Sequence, residues 1–231
     1  MSTSVLLLFM STVILASAAQ KTEFVEAHNY FRAKERAKDM QAMTWSRSLK
    51  NNAADWADEC LWKHSSYSDR TVPWKGQSTA AYVGENLFMT TAKTLNITKI
   101  VNSWYVEKND YNIITGSCTS GKECGHYTQV VWSKSDKLGC SMERCQPLRK
   151  IEDGKKVVMK SLAWLVVCQY GPGGNVGSTK PYVRGTRCSG CPSHTTCDSS
   201  RKLCVISDRR RELELLLDAL YPDFEENSNG D

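Results

Sequence analysis

Ten cysteines in 231 residues constrain this chain more than any other feature. An even count at that density fits five disulfides formed in an oxidising compartment, where cross-links replace part of what a larger apolar core would supply. The N-terminus agrees. Val5 to Ala16 is an apolar run of signal-peptide length that ends in the small residues Ala16 to Ala19, so residues 1–18 are expected to be a cleaved signal peptide. No other apolar run approaches the length of a membrane span, and no transmembrane segment is expected after cleavage. A formal charge of +5 is too mild to point to nucleic acid as partner.

Periodicity places helices first. Phe24, Ala27, His28 and Phe31 recur at helical spacing, as do Leu49, Ala53, Trp56 and Cys60 behind Ser48, read as an N-cap. A third helix is expected from about Thr94 to Asn109, with Ile97, Ile100, Val101, Trp104 and Tyr105 on one side, and a shorter one after His126. Strands are expected late, at 138–142, 157–159 and 163–170, with Asp153-Gly154 as hairpin turn. This alternation predicts a layered α+β domain with an antiparallel sheet.

Composition changes at Gly171, where a glycine-rich stretch opens an extended segment. Four cysteines follow between Cys188 and Cys204 with few apolar neighbours, so disulfides are expected to hold that stretch. From Asp208 onward three Arg meet eight acidic residues, a net of −5, with Leu213, Leu216, Leu217 and Leu220 forming one helical stripe before Pro222. The sequon Asn96-Ile97-Thr98 makes Asn96 a candidate glycosylation site on the surface.

Three segments carry a specific pattern: Gly84-Glu85-Asn86-Leu87-Phe88, Gly125-His126-Tyr127-Thr128-Gln129-Val130-Val131-Trp132, and Val167-Cys168-Gln169-Tyr170-Gly171-Pro172-Gly173-Gly174-Asn175. With His28-Asn29-x-x-Arg32, Met43-x-Trp45-Ser46 and Trp104-Tyr105-x-Glu107, they resemble the CAP superfamily of cysteine-rich secretory, antigen 5 and pathogenesis-related 1 proteins. The resemblance implies an α-β-α sandwich with a small antiparallel sheet, over residues 22–175. Residues 176–207 would then be an extended linker and disulfide hinge, and 208–231 an acidic tail, partly helical or disordered. It also implies the pairs Cys60–Cys145, Cys118–Cys124 and Cys140–Cys168, with Cys188–Cys197 and Cys191–Cys204 in the hinge. No cysteine follows Cys204, so the ion-channel module of venom relatives is missing from the pattern.

The same resemblance places His64, Glu85, Glu107 and His126 in a central cleft. Neutral imidazoles suit Zn²⁺ or Cu²⁺, so His64 and His126 are the expected ligands, with Glu85 and Glu107 orienting waters or accepting the second ring N–H of a His. Zn²⁺ would not be needed for folding. The alternative is a satisfied polar network without metal. His28 is expected to make a core hydrogen bond, and His194 to be solvated. Catalysis is not expected: neither His-Glu-x-x-His nor Gly-x-Ser-x-Gly occurs, and Ser65, beside His64, is the nearest nucleophile candidate. The expected role is an extracellular binding protein, monomeric or weakly dimeric, with a protein or lipid partner. A sterol or lipid carrier is the first alternative and a metal- or His/Glu-dependent hydrolase the second.

Overall fold

The structure, a computed structural model, describes residues 19–70 and 82–207. The expected signal peptide and the acidic tail lie outside the described residues. Helix α1 spans residues 19–33, and α2 (Arg47–Asp58), α3 (Ile97–Tyr105) and α4 (Gly125–Val130) follow in chain order. Strands β1 (Thr44–Trp45), β2 (Gly84–Thr90), β5 (Lys137–Cys145) and β8 (Ala163–Gly171) form one sheet in the order β1-β5-β8-β2. β8 runs antiparallel to both β5 and β2, while β1 joins β5 in parallel. Among the described residues three two-stranded hairpins accompany it: β3 (Tyr111–Asn112) with β4 (Ser117–Cys118), β6 (Leu148–Glu152) with β7 (Lys155–Lys160), and β9 (Thr195–Asp198) with β10 (Leu203–Ile206).

Strand β8 shows why the sheet lies between helices. Its alternation sends Val166, Cys168 and Tyr170 into a core shared with Phe24 and Phe31 of α1, Ile100 and Trp104 of α3, and Tyr127 and Val130 of α4. Leu165 and Val167 point the other way, against Ala53 and Ala57 of α2. Both faces are therefore covered, as an α-β-α sandwich requires. Helix α2 comes so close that a Cβ at Gly139 of β5 would lie 2.1 Å from the Lys50 backbone nitrogen.

The cap of α2 is Ser46, not Ser48: its hydroxyl accepts from Leu49 N, while Ser48 already lies in the first turn. Cys60 falls beyond the helix end, in a left-handed conformation at φ 50°. The third helix is shorter than the spacing suggests. It starts after Asn96, whose side chain accepts from Lys99 N, and tightens into a 3₁₀ turn over Val106–Asp110. Strand β2 has no counterpart in the sequence reading, because Gly84-Glu85-Asn86 lacks strand formers and is extended by pairing with β8. Asp153 and Gly154 both have positive φ, 51° and 74°, as the hairpin turn demands.

The structure contains the five disulfides implied by the resemblance: Cys60–Cys145, Cys118–Cys124, Cys140–Cys168, Cys188–Cys197 and Cys191–Cys204. Disulfides are not all that holds the last segment. Leu203 is buried in the main core and Cys204 is buried too; Cys204 N donates to Met40 O at 2.8 Å, and Ala42 N donates to Cys204 O at 2.8 Å.

The His-Asn-x-x-Arg residues of α1 tie these layers together. His28 Nδ1–H donates to Phe24 O at 2.8 Å and Nε2 accepts from the Tyr170 hydroxyl at 2.9 Å, the core role expected of it. Arg32, fully buried, donates to the carbonyls of Gln41, Val130, Trp132 and Ser135 at 2.7–2.9 Å. His194 is exposed, with Nε2 3.3 Å from Gln41 Oε1.

Candidate functional site

Four elements supply the cleft. His64 sits in the loop after α2, Glu85 on β2, Glu107 in the 3₁₀ turn after α3, and His126 in α4. The structure arranges them as two imidazole–carboxylate dyads. Glu85 Oε1 lies 2.8 Å from His64 Nδ1 and Glu107 Oε1 lies 2.6 Å from His126 Nδ1. A carboxylate only accepts, so each Nδ1 carries a proton, and in the neutral ring Nε2 is the nitrogen that keeps its lone pair. The imidazoles reach solvent, at 52% side-chain exposure for His64 and 33% for His126, and neither Nε2 has a partner among the described residues.

Each carboxylate is itself anchored. Glu85 Oε1 also accepts from Ser65 N at 3.0 Å, while its Oε2 accepts from Ser65 Oγ at 2.7 Å and Gln169 Nε2 at 3.2 Å. Burial pushes the Glu85 carboxyl up, but the hydrogen bonds from His64, Ser65 and Gln169 together outweigh it and hold the group below the ordinary carboxylate range. Glu107 Oε2 accepts the backbone N–H groups of His126 and Tyr127, at 3.0 and 3.1 Å. Asn86, beside Glu85, joins the halves by donating Nδ2 to His126 O at 3.1 Å and to the Tyr170 hydroxyl at 3.2 Å. Trp104 lies nearly parallel to the His126 ring, centroids 6.5 Å apart.

Ser65 and Gln169 are the residues whose role sequence reasoning missed. The Ser65 hydroxyl donates to Glu85, and the residue is buried. Gln169 faces Glu85 across the β2–β8 register, a relation visible only once the strands are aligned.

As a ligand set, the dyads offer two neutral imidazole nitrogens, with the carboxylates committed to Nδ1 and backbone. That donor chemistry fits Zn²⁺. The four side chains do not close into a cage, since no three of their ligand atoms lie mutually within 4.8 Å; among the described residues only Cys188, Cys191 and Cys204 do. Those sulfurs are in disulfides and supply no thiolate.

Residues 25–170 match the family model of CAP, the cysteine-rich secretory protein family. The chain belongs to this family. Peptidase inhibitor 16 of Mus musculus is 36% identical to this CAP protein over 183 residues, 78% of the present chain and 33% of that protein. The chain thus spans about a third of the length of that relative. Cysteine-rich secretory protein 2 of Homo sapiens is 33% identical over 214 residues, covering 90% of this chain and 79% of the relative. Among solved structures, one described as NaASP2 with Zn²⁺ is 28% identical, with a TM-score of 0.58 over 80% of this chain and 94% of its own. Among the described residues no helix of this CAP protein is long and apolar enough to cross a membrane.

Proposed function

We propose that this CAP protein acts outside the cell as a binding protein whose cleft takes a divalent cation, Zn²⁺ by donor chemistry, through His64 Nε2 and His126 Nε2. One observation carries the reading: each imidazole has its Nδ1–H fixed on an anchored carboxylate, which leaves a solvent-facing Nε2 of defined tautomer. The solved relative described with Zn²⁺ supports it. Five disulfides with no free cysteine among the described residues support the extracellular setting.

Bound there, Zn²⁺ supplies a positive centre able to hold an anionic or carbonyl-bearing group of a partner. The chain's own part is to orient both rings and hold their Nδ1 protons. The reading assigns no covalent chemistry to the cleft. The Ser65 hydroxyl is buried and engaged on the Glu85 carboxylate, not on an imidazole.

A calorimetric Zn²⁺ titration of the oxidised protein at pH 7.5, beside His64→Ala/His126→Ala, tests this. Stoichiometric binding lost in the double variant is the expected result. Equal heats from both proteins would make the dyads a structural network.

A further inference from the structure

Away from the cleft, a groove of about 500 Å³ opens between the loop after β3, the loop after α4 and the segment 179–184. Trp132, Pro181 and the half-buried Ile113 form its apolar floor, and Ile114 and Val183 stand exposed at its edge, 67% and 55% accessible. The rim is cationic. Lys134, Lys180 and Arg184 line it; Lys180 Nζ donates to the Ile114 carbonyl, and neither Lys134 nor Arg184 meets a carboxylate among the described residues. Asp39, the one acidic residue in the lining, is already engaged, accepting from Ser133 Oγ at 2.8 Å and Val183 N at 3.0 Å. The groove is thus apolar below and positive above.

One segment of the same chain has the complementary character. Beyond Arg211 the sequence carries seven acidic residues and no Lys or Arg, interleaved with Leu213, Leu216, Leu217 and Leu220 at helical spacing. It is also tethered nearby. Cys204 of β10 bonds Met40 and Ala42, and Gln41 N, between them, donates to Ser133 O in the groove wall at 3.3 Å. The described chain ends at Ser207, and residues 208–212 can span roughly 16 Å when extended.

We propose that this groove is the docking site of the chain's own acidic tail, with the leucine stripe on the apolar floor and the tail carboxylates on the lysine and arginine rim. Leucine burial supplies the attraction, and the opposed charges set the site and make it salt-sensitive.

Hydrogen exchange on the full oxidised chain tests the contact. Compared are wild type, the groove reversal Lys134→Glu/Lys180→Glu/Arg184→Glu, and that variant combined with Glu212→Lys/Glu214→Lys/Asp218→Lys. Near-UV circular dichroism checks that each retains the domain fold. Amides 213–220 are expected to be protected by about tenfold or more in wild type, to lose this in the groove reversal, and to regain it with the tail reversal. A carbodiimide cross-linker should join tail carboxylates to Lys134 or Lys180 within one chain at every protein concentration. Exchange at unfolded-peptide rates in wild type would overturn the proposal, as would protection that survives the groove reversal. Protection and cross-links that rise with protein concentration would make the occupant a second copy, which also overturns it.

Discussion

At position 28 an imidazole sits fully buried between a carbonyl and a tyrosine hydroxyl, and its pKa is pushed down to about 4, first by burial and then by the charge of Arg32 against a backbone hydrogen bond that raises it. The unfolded chain therefore binds the extra proton first as pH falls. His28 gives its full stabilisation above about pH 6.5 and loses it between there and about 4, a change of about 3 kcal/mol in all. Urea unfolding at pH 7.5 and 5.0 should show about 2 kcal/mol of that loss, and His28→Gln should flatten it; equal stability at the two pH values would refute the burial argument. In the cleft, Glu107 binds one ring and two backbone N–H groups. Glu107→Gln is expected to weaken Zn²⁺ binding by roughly 10–100-fold without removing either ligand, a loss that calorimetry reads directly. The tetrad residues are legible in the sequence only through resemblance, since no spacing rule relates His64 to Glu85. Their partners Ser65 and Gln169 are not legible even so, because they meet Glu85 through a loop and a strand register.

Elements with strong periodicity are the ones the sequence reveals. The apolar stripe of α1 and the β-branched run of β8 appear where patterning puts them, and both end in the core. β2 escapes because its strand character comes from its neighbour, not from its own residues. Helix ends escape when a side chain decides them, as at Asn96, whose Oδ1 caps α3. That bond leaves Nδ2 of the exposed sequon residue free of the cap, so a glycan there is compatible with the helix start. Asn96→Ala should cost about 1 kcal/mol in thermal unfolding, while Asn96→Ser, whose hydroxyl oxygen can still accept as a cap, should cost much less. Equal losses would show that the cap contributes nothing.

Among the described residues two cores lie on the two faces of one sheet, with Cys60–Cys145 closing a loop of 85 residues beside the smaller one. Replacing both cysteines with Ala should lower unfolding free energy by about 4 kcal/mol in the chain-entropy model, measured by denaturant midpoint and slope. The cleft is a property of this scale, because loop, strand, 3₁₀ turn and helix each bring one of its four side chains. The most direct test of the account is long-range ¹H–¹⁵N NMR of the two cleft histidines with and without Zn²⁺. Without metal, both rings should carry their proton on Nδ1; with Zn²⁺, Nε2 of each should shift while Nδ1–H persists. A proton on Nε2 in the metal-free protein, or a Zn²⁺ shift at neither ring, would contradict the proposed site.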